Sequence, residues 1–191
     1  ILRTKYGQKS NPNFNLFNKA ADQFQLVNKV EDSNLIVMIE VLITNVLTAA
    51  QETPDDIDLE VVAKRAEEMC KTGNFVIVSN FTRKNRLAKY LDRCRPKSVG
   101  MSTNINNLKF VFNSNNFGGN YTSQLLAYVS DMFTQNVKLF AYPFLDKKTN
   151  TVITTANMPV TEEAKPLFDF LLVNGYITDI KDYSEDDVKT A

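Results

Sequence analysis

Two sets of polar residues in this chain could do chemistry, and both lie between positions 79 and 104. Ser79, Asn80 and Thr82 follow the apolar run Phe75-Val76-Ile77-Val78, and Ser102, Thr103 and Asn104 follow Val99-Gly100-Met101. Short hydroxyls and amides placed between a strand and a helix can hold a phosphate, because helix N-termini present unsatisfied N–H groups to an anion. The same residue types are favoured N-caps, so helix capping alone also accounts for them. The second set is basic: Arg83, Lys84, Arg86, Lys89 and Arg93, continued by Arg95 and Lys97 and opposed only by Asp92. Such a face suits an acidic protein surface, anionic head groups or nucleic acid, and the plain alternative is a solvated helix surface. No aromatic series is interleaved with these charges, which argues against single-stranded nucleic acid.

Other chemistry is excluded by absence. The chain contains no histidine, so within it there is no Ser-His-Asp or Cys-His nucleophile, no histidine-ligated metal and no histidine proton shuttle. Two cysteines are too few for a thiolate zinc site or a disulfide scaffold. Cys70 and Cys94 both fall on the apolar stripes of expected helices, where small buried thiols are expected. The string Gly7-Gln8-Lys9-Ser10 lacks the upstream glycine and the apolar strand of a P-loop. No motif implies a metal or another cofactor, and the balance leans away from an enzyme.

The elements that must position the polar sets run strand, helix, strand, helix. Asn74 to Ser79 is too short and too β-branched for a helix and is bounded by polar residues, so it predicts a buried parallel strand. From Arg83 to Arg95 the spacing turns helical, with Leu87, Tyr90, Leu91 and Cys94 on one stripe, and Pro96 closes it. Ser98 to Met101 is the next strand, and Ile105, Leu108 and Phe112 carry the following helix. A βαβα unit needs a parallel sheet covered by helices, so the expected fold is α/β, three-layer, with a mainly parallel sheet.

The rest of the chain is read around this unit. Residues 1–28 set Phe14, Leu16, Phe17, Phe24 and Leu26 singly among amides and predict an extended, irregular N-terminal arm. Ser33 to Ala50 reads as the strongest helix, through Leu35, Met38, Ile39, Leu42, Ile43, Val46 and Leu47, too short and too interrupted to span a bilayer. Pro54 breaks the chain, Asp55, Asp56 and Asp58 start a further helix, and Gly73 ends it. Beyond the Asn113–Asn120 loop, a helix over Leu125 to Phe133, a strand over Val137 to Tyr142, a hairpin turn at Asp146 to Asn150 and a helix over Thr161 to Leu172 are expected. Tyr176-Ile177 predicts a short edge strand, and residues 184–191 a mobile acidic tail. One α/β domain therefore occupies 29–183. With 22 basic and 22 acidic residues the whole chain attracts neither polyanions nor polycations.

The series Asn74 to Phe81, Arg86 to Leu91, Ser98 to Met101, Asn107-Leu108, Val111-Phe112-Asn113, Gly118-Gly119, Val137 to Pro143 and Val173 to Ile177 resembles the C-terminal region of a bacterial family. Its longer members carry a nicotinate-nucleotide adenylyltransferase-like domain and are often labelled TonB-dependent receptors. The likeness covers roughly residues 57–183 and implies an α/β domain with no assignable catalytic centre. Nucleotidyl transfer in that family depends on a histidine phosphate motif that is missing here. The Ile-Leu-Glu run and Gly-Arg pair that follow the family's glycines are also replaced, by Asn120 to Gln124 and by Val129-Ser130-Asp131.

Two functions are compatible with these features. The first is a non-catalytic interaction or scaffold subunit whose partners are other protein subunits, with the basic helix against an acidic surface. It expects an intracellular location, cytoplasmic or, after presequence removal, organellar. The second is a binding domain for a nucleotide or another phosphorylated small molecule at the strand ends.

Overall fold

The computed structural model describes residues 1–5, 13–43, 59–116, 119–134 and 136–189. Leu2–Lys5 (β1), Met38–Leu42 (β2) and Phe75–Ser79 (β3) form one parallel sheet in that order. Val99–Asn104 (β4), Val137–Tyr142 (β5) and Ile177–Asp179 (β8) form a second. Between them in sequence, Phe144–Asp146 (β6) and Thr151–Ile153 (β7) make the small antiparallel hairpin that the sequence predicts. The helices are Phe14–Asn28 (α1), Leu59–Cys70 (α2), Lys84–Arg93 (α3), Ile105–Val111 (α4), Tyr121–Met132 (α5), Lys165–Val173 (α6) and Glu185–Lys189 (α7).

The two parallel sheets meet edge to edge at one point. The Ile1 nitrogen donates to the Gly100 carbonyl at 2.6 Å, and the Ser102 N–H donates to the Ile1 carbonyl at 2.9 Å. That pair of bonds is a parallel bridge between Ile1 and Met101. The strand order across both sheets is therefore β3-β2-β1-β4-β5-β8, the order of a doubly wound α/β sheet. β3 and β4, consecutive in sequence, are thus separated by β2 and β1 rather than adjacent.

Alternation along the strands sorts the helices into two layers. Val99, Met101, Val137, Leu139, Ala141 and Ile177 face α3, α4, α5 and α6, where Leu87, Leu108, Met132 and Leu171 are buried against them. On the other face Leu2, Ile39 and Val41 pack on Phe17 of α1 and Met69 of α2, and Phe140 packs on Leu16, Ala20 and Phe24 of α1. Gly100 is glycine because α1 comes close there: a Cβ would sit 2.6 Å from the Phe24 ring. Gly73, at φ +83°, ends α2 as expected.

Several expectations fail, among them that of a buried β3, which is the outer strand of its sheet with Phe75 and Val78 exposed. Residues 1–28 are not an extended arm where the structure describes them: β1 lies between β2 and β4, and α1 spans both sheets. Leu16, Phe17, Ala20 and Phe24 form a helical stripe, and the Asn13 side chain caps it by accepting the Leu16 N–H. The expected Ser33–Ala50 helix contains β2 instead, with its part from Thr44 onward outside the described residues. A strand buried on both faces is a continuous apolar run, and such a run satisfies a helical template equally well.

The acidic tail is also ordered, as α7. Asp187 is buried and accepts from Lys19 Nζ at 2.8 Å, from the Ser184 N–H at 2.8 Å and from the Asn15 amide. Finally, Cys70 and Cys94 are exposed rather than buried. Met69 and Leu87 take the buried positions of those stripes.

Candidate functional site

The site is built from neighbouring strands outward. Arg3 in β1 and Glu40 in β2 are register partners, so their side chains stand side by side on the face covered by α3 to α5. They form a two-pronged ion pair: Arg3 Nε donates to Glu40 Oε2 at 2.6 Å and Nη2 to Oε1 at 2.9 Å. Ser79, at the end of β3, donates its hydroxyl to the same carboxylate, which has no exposure to solvent. Arg3 Nη1 donates further to the Thr82 carbonyl at 3.2 Å and so ties the loop after β3 to the sheet.

Beyond Ser102 the β1–β4 pairing stops. Continued pairing would offer the Ser102 carbonyl to the Arg3 N–H. It is taken instead by Lys84 Nζ at 2.5 Å, from the first turn of α3. The Lys84 ammonium is brought down from 10.5 to about 7, first by burial and then by the Arg3 guanidinium, with Glu40 opposing. Among the described residues no carboxylate lies within ion-pair distance of it.

A crevice opens where the strands part. Its volume is about 350 Å³, within the range of roughly 300–1,000 Å³ usual for small-molecule sites. Arg3, Thr82, Arg83, Lys84, Thr103 and Asn107 supply its polar wall. Leu108, Phe110 and Leu125 supply an apolar wall, and the Phe110 ring is 55% exposed. Tyr128 stands in the same cavity, its phenol pushed up to about 12 by burial, against the pull of Arg3 and Arg83. Among the described residues, three cations and one buried carboxylate give this region a net positive charge. It lies outside the carboxyl ends of β1 and β4, where the strand order reverses, the place at which open α/β sheets bind ligands.

The sequence pointed to part of this site. Thr82 and Thr103 line the cavity, as do Arg83 and Lys84 from the basic set. The other strand-end residues do not. Ser79 bonds Glu40, the Ser102 hydroxyl donates to the Ile1 carbonyl at 3.2 Å, and Asn104 caps α4 by accepting the Asn106 N–H at 2.7 Å. Asn80 is exposed and forms no part of the cavity wall. On the basic helix Arg86 and Arg93 point to solvent, and Lys89 pairs with Asp131 at 2.7 Å.

Arg3, Glu40, Asn107 and Tyr128 were missed. Glu40 carried a readable signal, being a lone carboxylate inside the apolar run Ile36 to Ile43, because a buried acid needs a partner. Among the described residues no group of three or more Asp, Glu or Cys side chains is placed to hold a metal ion, and no helix is long and apolar enough to cross a membrane. Comparison with known proteins returned no match, whether to a family model, to a curated protein or to a solved structure.

Proposed function

We propose that this chain is a binding domain for a small molecule carrying a phosphate or comparable anionic group, held in the crevice between β1 and β4. The observation that carries this reading is the convergence of Arg3, Arg83 and Lys84 on one cavity where, among the described residues, the nearby carboxylate is Glu40, which accepts from Arg3 and Ser79. An anion entering there relieves the repulsion between Arg3 and Lys84 and gains charge-assisted hydrogen bonds. Thr82, Thr103 and Asn107 offer further polar contacts, and Leu108 and Leu125 an apolar wall for the rest of the ligand.

Calorimetric titration of the chain with a nucleoside monophosphate and with the matching nucleoside tests the reading. The phosphorylated compound is expected to bind and the nucleoside to bind far more weakly. The substitution Arg83→Gln, at an exposed position, should weaken binding by about tenfold or more, since a hydrogen bond to a charged group contributes roughly 1.5–3 kcal/mol. No heat from any phosphorylated compound would refute it.

The interaction-subunit reading has one observation in its favour. On β3, the outer strand of its sheet, Phe75 and Val78 are 65% and 42% exposed. Other protein subunits covering that edge would bury apolar surface.

A further inference from the structure

Lys84 has a property that anion binding does not use. Lys84 belongs to the cavity lining, and its amine, with no counter-ion among the described residues, donates to the Ser102 carbonyl and feels the charge of Arg3. An amine that donates one N–H to a carbonyl in this way keeps its lone pair, once deprotonated, for a reaction partner in the cavity. We propose that Lys84 forms an imine with an anionic aldehyde or ketone held in this crevice. The inference rests on the anion-binding reading above and narrows its ligand to carbonyl compounds. The Lys84 nitrogen attacks the carbonyl carbon, the carbonyl oxygen takes up protons and leaves as water, and a C=N bond replaces C=O.

Geometry and charge support the assignment together. Arg3 and Arg83 flank Lys84 and are placed to hold the ligand's phosphate or carboxylate, which brings the carbonyl group to the amine instead of to one of the many exposed lysines. Among the described residues, the groups facing Lys84 are Arg3 from β1, Glu40 from β2, Arg83 beside it and Tyr128 from α5, with the Ile1 nitrogen also close enough to act on it. Glu40 is the one anion of the set, and it is engaged by Arg3. With burial lowering the ammonium to about 7 from 10.5, Lys84 holds roughly a thousandfold more free amine at neutral pH than an exposed lysine. Burial and a neighbouring cation are the two usual ways of activating a lysine as a nucleophile.

The test is reductive trapping on the full chain. Pyridoxal phosphate is added near neutral pH, borohydride reduces any imine to a stable amine, and labelled peptides are quantified by mass spectrometry. Unphosphorylated pyridoxal and excess inorganic phosphate serve as the two controls. Lys84 is expected to carry at least about tenfold more label than Lys71 or Lys109, with the label reduced by inorganic phosphate and much weaker from pyridoxal. Lys84→Arg should lose that label while keeping the circular dichroism spectrum of the parent chain. Label spread evenly over the exposed lysines, in a chain that still binds phosphate, overturns the imine and leaves the anion site standing. Label at Lys84 that phosphate does not compete for overturns the anion site and leaves the reactive amine.

Discussion

Replacing Glu40 by glutamine isolates the ion pair that fixes Arg3, which in turn bonds the Thr82 carbonyl at the crevice. The carboxylate is fully buried, and the Arg3 side chain beside it is only 12% exposed. Glu40→Gln keeps the shape but leaves a guanidinium without this counter-ion, next to the Lys84 ammonium. Removing one partner of a buried ion pair costs about 3–5 kcal/mol, a large share of the roughly 5–15 kcal/mol that holds a typical domain folded. With a urea dependence of about 2–3 kcal/mol per molar for a chain of this size, the unfolding midpoint should fall by roughly 1–2 M.

Urea unfolding followed by circular dichroism at neutral pH reads this directly. The double substitution Arg3→Met with Glu40→Leu should recover most of the loss, because a well-packed apolar pair is often as stable as the buried ion pair it replaces. A midpoint shift for Glu40→Gln below about 0.3 M would place the pair among solvent-exposed bridges, which contribute only about 0–1 kcal/mol, and would refute the reasoning.

Asp187 predicts a pH effect at the other end of the chain. Its hydrogen bonds from Lys19, and then from Ser184 and Asn15, hold the carboxyl well below its ordinary 3.8. A depressed acid stabilises the fold above the unfolded value and loses that contribution as pH falls. In thermal melts Asp187→Ala should therefore be less stable than the parent at pH 6, with the gap narrowing below about pH 4; a gap constant over that range contradicts the assignment. Gly100→Ala drives a methyl group into the Phe24 ring and should cost about 1–3 kcal/mol in chemical denaturation; no loss would mean that α1 does not pack there. Deleting residues 1–28 removes β1 and α1, with Leu2, Leu16, Phe17 and Phe24 all buried, a burial on the order of 10 kcal/mol. The remainder should show no cooperative unfolding transition, and a well-folded remainder would contradict the strand order.

The part of the fold legible in the sequence is the part where periodicity and punctuation agree. β3, β4 and β5 are short runs with apolar residues between polar boundaries, α3 to α6 show apolar stripes, and Pro96, Asn136 and Gly175 follow α3, α5 and α6. β1 is a four-residue strand with a charged residue at its centre, and nothing local distinguishes it from a loop. Its place beside β4 comes from long-range pairing. α1 was legible, since Leu16, Phe17, Ala20 and Phe24 are spaced for one face, but the asparagines around them disguised the stripe. β2 was misread because an eight-residue apolar run fits both periods, and Glu40 looked like an interruption when it is a buried ion-pair partner. The site was half legible for a related reason. The end of β4 and the start of α3 contribute Thr103, Arg83 and Lys84 through local connections, whereas Arg3 arrives from a residue 79 positions away from Thr82. Cysteine exposure on α2 and α3 followed from which way each stripe turned, a matter of tertiary packing rather than spacing.

Anion binding in the crevice is tested most directly by a heteronuclear NMR titration of the chain with inorganic pyrophosphate, at low and moderate salt. Saturable shifts should concentrate on the backbone amides of Thr82, Arg83, Lys84, Thr103 and Asn107, which surround the cavity, and weaken as salt rises. Shifts confined to the exposed basic surface at Arg86, Arg93 and Lys97, or none below millimolar concentrations, would contradict a ligand site between β1 and β4.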